Sequence, residues 1–154
     1  SVTEKSVRAV NGAANSPVYQ DSCVEFFTRP VSDGPYKNFE FNAIGACLSQ
    51  VGMDRNSRDF VDAEKINTIR RLASLGTETF EEKQGEQSWT LVVAIPFTLI
   101  FGDASPDLSG KIIRANFYKC GDKLTLPHYL SWNPIGTENP DFHQPEFFGV
   151  LEFE

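Results

Sequence analysis

Two glutamates stand in positions where paired carboxyls could do acid–base chemistry. Glu25 lies in residues 22–28 and Glu40 in residues 36–44, two runs of alternating polarity separated by the turn cluster Ser32-Asp33-Gly34-Pro35. Strand alternation puts Val24 and Phe26 on one face with Phe39 and Phe41, and turns Glu25 and Glu40 to the other. Two carboxyls about 5 Å apart suit a retaining glycosidase, and about 6.5–9.5 Å an inverting one. The plainer reading is two solvated or Arg-paired carboxylates. Arg114, Asn116 and Tyr118 form another polar stripe, on residues 112–120. If that strand joins the same sheet, one face carries Glu25, Glu40, Asn42, Arg114 and Asn116. Such a face suits sugar hydroxyls, which take planar donors and acceptors. It serves equally well as a structural Arg–Glu network.

The aromatic residues extend this reading. Trp132 sits in the loop Ser131-Trp132-Asn133-Pro134, where it either folds onto the core or offers a plane for stacking. Trp89 opens an apolar run and belongs to the core. His128 and His143, with Asp141 or Glu146, are too few and too dispersed to define a metal centre. Met53 has no CxxCH beside it to suggest haem. The phosphate loop, GxSxG and HExxH patterns are absent. Cys23, Cys47 and Cys120 have neither CxxC spacing nor a zinc-finger histidine, and read best as three buried thiols.

The elements that must position these residues are mostly strands. At 154 residues, with 40% hydrophobic and 23% charged residues, the chain can bury one core without staples. Thirteen Phe exclude disorder as the main state. The net charge of −7 and the scattered Lys and Arg argue against nucleic acid. The apolar run 91–100 is broken by Pro96 and is half the length a bilayer needs, so no membrane span is expected. Strands are expected over 2–10, 22–28, 36–44, 45–52, 89–95, 112–120 and 147–153. A helix is expected over 62–70, capped by Asp62. Residues 54–59 read as a polar turn, 78–87 as a solvated loop or edge, and 124–142 as a loop; 72–75 reads as extended. Residues 97–101 read as a helical or extended connector. The sum is an all-β antiparallel sandwich with one short helix, as a single domain over 1–154.

Four motifs, in order, then become specific. Asp21-Ser22-Cys23-Val24-Glu25 resembles the D-S-V-E strand of family 9 carbohydrate-binding modules and their DOMON-like relatives. Trp89-Thr90 with Ile95-Pro96 resembles the W-T…I-P strand of that group, and Arg114-Ala115-Asn116-Phe117 its R-x-N-F strand. Ser131-Trp132-Asn133-Pro134 with Phe142-His143-Gln144-Pro145-Glu146-Phe147-Phe148-Gly149 is similar to its closing segment. The match runs from about Glu4 to Phe153 and is nearest to the Bacteroides type.

The resemblance implies a β-sandwich that binds sugar without cleaving it and needs no cofactor. It admits a structural calcium in some members, although no D-x-D cluster marks one here. It implies that Tyr19 and Trp132 clamp a terminal sugar, with Glu25, Arg114, Asn116 and Asn133 hydrogen-bonding its hydroxyls. The ligand would be an oligosaccharide or polysaccharide, xylan- or glucan-like, of plant or host origin. Location would be secreted, periplasmic or at the cell surface, beside other domains or cell-surface glycan-utilisation proteins. Three departures stand out: Tyr19 replaces the usual Trp, Val92 or Val93 replaces a Glu, and the opening hairpin is expected either to lie upstream of Ser1 or to be absent. The alternatives are a xylanase-like glycoside hydrolase, or an accessory domain of one, using Glu25 and Glu40, and a structural or protein-interaction module.

Overall fold

A computed structural model describes residues Ser1–Glu154. The main sheet has seven strands. Its order is β10 (Tyr129–Ser131), β9 (Ile112–Cys120), β2 (Cys23–Arg29), β3 (Tyr36–Asn42), β4 (Cys47–Gly52) and β5 (Arg58–Phe60). The seventh, β11 (Gly149–Glu152), also pairs with β9. The outer edge of β9 is shared end to end: β10 takes Tyr118 to Cys120 and β11 takes Ile112 to Ala115. The β2–β3 register sets Glu25 against Glu40 and Phe26 against Phe39. The β2–β9 register sets Glu25 against Tyr118 and Phe27 against Asn116. Opposed residues share a face, so the sheet has one apolar side and one mixed side, as the alternation predicts.

The apolar side makes the sandwich core. Phe39, Phe41 and Cys47, with Val24 and Phe26 beside them, pack against Ile66, Ile69, Leu91, Val93 and Ile100. Those partners come from the second layer: the pair β6 (Arg70–Ala73) with β8 (Leu91–Ala94), and the helices α1 (Ala63–Ile66) and α2 (Phe97–Phe101). A third pair, β1 (Val2–Ala9) with β7 (Phe80–Trp89), completes that layer. Trp89 is buried there and its Nε1–H donates to Glu4 Oε1 at 2.6 Å. At the β3–β4 turn, Gly45 holds φ at +81°, a left-handed conformation that favours glycine.

Several expectations shift. The helix at 62–70 closes after one turn, and Thr68, Ile69 and the residues that follow lead directly into β6. Residues 97–101 are helical, so there are two short helices. The run 78–87 is mostly strand: β7 is ten residues long because β1 supplies a full ladder to it. The expected strand 89–95 is split at Thr90, with Trp89 ending β7 and Leu91 opening β8. The turn at 54–59 yields β5, three residues held by pairing with β4. β10 forms inside the expected loop 124–142, and a 3₁₀ turn at Pro145–Phe147 delays the closing strand from the expected Phe147 to Gly149.

Candidate functional site

The mixed side of the main sheet is only partly covered. Phe27, Tyr36, Tyr118 and Phe148 form a buried aromatic cluster over its lower half, joined by Ile135 and Phe142. Phe142 stacks on Tyr118 with ring centres 4.1 Å apart, and Tyr118 Oη donates to the Phe142 carbonyl oxygen at 3.1 Å. The chain between β10 and β11 thus folds back onto the sheet and stops short of its upper half.

What remains is a cleft of about 480 Å³. Its floor is Glu25, Glu40, Leu48, Gln50 and Cys120. Tyr19, Tyr129 and Asp122 stand on one side, and Arg55, Arg58, Asp141 and His143 on the other. Tyr19 and Tyr129 are exposed on the rim, at 38% and 44%. Arg58 lies over the Tyr36 ring at 3.9 Å and donates to Asn38 Oδ1 and the Gln50 carbonyl, while its buried Nε has no protein partner. Arg55 pairs with Asp141 at 2.7 Å.

The electrostatics of the cleft follow from burial. Glu25 and Glu40 are 5% and 4% exposed and directly opposed, so both cannot ionise cheaply. Burial first, then the neighbouring Glu40 charge, raises the Glu25 carboxyl well above its usual range. Burial pushes Glu40 up to about 7, against the lowering effects of the Asn38 hydrogen bond and Arg58. His143 goes the other way, down to about 4, through burial and then the Arg58 and Arg55 charges. It is therefore neutral at pH 7, and its Nδ1 lies 2.9 Å from Tyr36 Oη.

The structure brings together two of the six residues singled out from the sequence, Tyr19 and Glu25. Asn116 is fully buried and holds the chain rather than the cleft. Its Nδ2–H donates to the Asn133 carbonyl at 3.0 Å, and its Oδ1 accepts from the Asn133 and Phe117 amides. Asn133 Nδ2–H in turn donates to the Phe147 carbonyl at 2.7 Å. Asn116→Ala is therefore expected to cost about 2–3 kcal/mol, because it orphans buried backbone groups. Urea unfolding reads this, and an unchanged midpoint would contradict it. Arg114 is exposed and its Nη1 donates to the Phe148 carbonyl. It sits six residues before Cys120 on β9, about 20 Å away along an extended strand.

Trp132 lies on the opposite side of the sheet from the cleft. Ser131 pairs with Tyr118 on the mixed face, so the next residue turns over. The Trp132 ring meets Phe117 edge-on at 5.8 Å and rests on Gly149, where a Cβ would fall 2.7 Å from it. It is 53% exposed but does not face Tyr19 across a common opening. His128 is also remote, lying near Glu4 and Lys119. Sequence reasoning names Asp141 only as a metal ligand beside the histidines and Phe142 only within the closing motif, and it misses Gln50, Arg55, Arg58, Asp122 and Tyr129. Only the alternation of β4, which puts Gln50 in phase with Glu40 through Leu48, carried any signal for them.

The family model described as "Carbohydrate-binding family 9" matches residues 1–153. A solved structure, described as a "putative carbohydrate-binding protein" from Bacteroides uniformis, is similar with a TM-score of 0.93 and 49% identity. The match covers 99% of this chain and 70% of that one. No curated protein matches this chain.

Proposed function

The chain belongs to carbohydrate-binding family 9, and we propose that it binds a glycan, without turnover, in the cleft over Glu25 and Glu40. One observation carries this reading. The cleft combines exposed Tyr rings on its rim with polar groups inside that the protein leaves incompletely partnered, Arg58 Nε and Glu40 Oε2 among them. Sugar rings offer flat C–H faces to aromatic planes and hydroxyls that both donate and accept. Tyr19 and Tyr129 supply the planes. Arg58 and Gln50 donate, while Asp122, Asp141 and the floor carboxyls accept. The ligand class is a xylan- or glucan-like oligosaccharide of plant or host origin. The reading fits a secreted, periplasmic or surface protein working beside other glycan-handling proteins. No helix is long and apolar enough to cross a membrane.

Exposed stacking with a few hydrogen bonds gives affinities on the order of µM to mM. Calorimetry against xylo-, gluco- and manno-oligosaccharides should find a ligand in that range. Tyr19→Ala should weaken it roughly tenfold or more, about 1.4 kcal/mol. No binding across the panel would count against the reading, as would full affinity in Tyr19→Ala.

A hydrolase reading has one observation in its favour: Glu40, pushed up to about 7, sits opposite a second carboxyl on the cleft floor. Release of reducing ends from xylo- or gluco-oligosaccharides, lost in Glu25→Gln, would establish it. Binding without release would remove it.

A further inference from the structure

At the base of the cleft two thiols that glycan recognition does not use stand beside the floor carboxyl Glu25. Cys23 and Cys120 are Cα partners across the β2–β9 ladder, and both are buried thiols with no disulfide. Cys120 Sγ lies 3.1 Å from Glu25 Oε1, and Cys23 Sγ lies 3.9 Å from the same oxygen. One donor atom from each of the three falls within 4.8 Å of the others. Glu40 stands beside them on β3, 96% shielded from solvent with its Oε2 unpartnered. We propose that this base of the cleft is a binding site for a thiophilic divalent cation of the Zn²⁺ type, ligated by Cys23, Cys120 and Glu25, with the fourth position open to the cleft.

The donor set selects the ion. Two thiols and one carboxyl make an S₂O group, which with one open position suits zinc; calcium and magnesium take oxygen ligands alone. Zinc–sulfur bonds of about 2.3 Å need the side chains to draw inward only slightly from the separations they already hold. Without metal, burial and the neighbouring thiol hold Cys23 protonated, and burial with the Glu40 charge holds Glu25 protonated. On binding, each S–H bond breaks, a sulfur–metal bond forms, and each proton leaves to solvent, as does the Glu25 proton. The charge around the site comes from every packed element. Asp122 adds a negative field, Arg58 from β5 a positive one, and Asn38 from β3 donates to Glu40 Oε1 at 2.8 Å. Cys120, Glu25 and Glu40 all line the open cleft, so an ion has a path in. Cys47 is not part of the group: it packs on the apolar side with Phe41 and Ile66.

The test is a Cd²⁺ and Zn²⁺ titration of the reduced full chain. We expect one Cd²⁺ per chain with a thiolate-to-cadmium charge-transfer band. Zn²⁺ should compete for that site, release protons and raise the melting temperature. The band should vanish in Cys23→Ser and Cys120→Ser and persist in Cys47→Ser. Because buried Cys→Ser variants can fail to fold, Glu25→Gln provides a second check, and its Cd²⁺ affinity should fall roughly tenfold or more. No band in folded, reduced wild type would overturn the proposal, and so would a band that survives in folded Cys120→Ser. The proposal does not rest on the glycan reading, and neither metal probe requires a sugar.

Discussion

Asp21→Ala is expected to cost about 3 kcal/mol, because it takes the acceptor from the partly buried Arg8 guanidinium and from two further donors, the Asn11 amide and Asn42 Nδ2. Asp21 is fully buried at the entry to β2. Its Oδ1 accepts from Arg8 Nη1 at 3.0 Å, and its Oδ2 accepts from the Asn11 amide at 3.0 Å and Asn42 Nδ2 at 2.9 Å. One carboxylate therefore ties β1, the loop after it and the end of β3 to the strand that carries Glu25. Arg8 Nη1 also donates to the Gln20 carbonyl, next to Tyr19. The loss should appear as a lower urea midpoint and as an earlier thermal transition. Asp21→Asn keeps the shape and loses the charge, so it should fall between wild type and Asp21→Ala. Wild-type stability in Asp21→Ala would show that this network does not hold the sheet.

The second large effect is a pH dependence. Glu40 is pushed up from 4.5 to about 7 in the folded chain. A raised carboxyl binds its proton more tightly folded than unfolded. The stability it contributes is complete below pH 4.5 and is lost as pH rises through about 7. A shift of that size is worth about 2–3 kcal/mol between pH 5 and 8. Glu25 is raised as well and acts with the same sign. His143 opposes them at the acid end. Its folded value of about 4 lies below the usual 6.5, so its contribution is lost as pH falls through that interval. Comparing wild type with Glu40→Gln at each pH cancels the histidine. The two proteins should be close at pH 5, and the glutamine variant should be the more stable at pH 8. A stability difference that stays constant across this range would mean that Glu40 titrates as an ordinary surface carboxyl.

The parts of the fold that were legible are those where period-2 alternation met a buried face. In β2, β3 and β9, Phe26, Phe39 and Ala115 alternate with Glu25, Glu40 and Asn116, and each side chain lies on the face its spacing implies. The strand β7 was illegible because its sequence, Phe80–Trp89, is polar almost throughout between its two terminal aromatics. Partnership with β1, not a buried stripe, makes it a strand. The short helix ends early because its bonds tighten to three-residue turns, Thr68 N–H to the Lys65 carbonyl and Ile69 N–H to the Ile66 carbonyl, and from Arg70 the chain pairs with β8 instead.

The candidate site was half legible for the same reason. Glu25 and Glu40 come from regular strands whose phase is visible. Arg55, Asp141 and His143 come from loops that return over the sheet, and nothing periodic announces such a return. Trp132 shows how much depends on a single register step. It follows β10, whose pairing with β9 decides which face it takes, and a three-residue strand leaves no pattern to read.

The central claim is that the glycan sits over Glu25 and Glu40 and not against Trp132. Amide chemical-shift mapping of the labelled full chain, titrated with the tightest oligosaccharide from the screen, tests it most directly. The account predicts that the largest shifts cluster at Tyr19, Gln50, Arg58, Asp122 and Tyr129, with Phe117, Trp132 and Gly149 unmoved. Shifts centred on Phe117, Trp132 and Gly149, with the cleft silent, would contradict it.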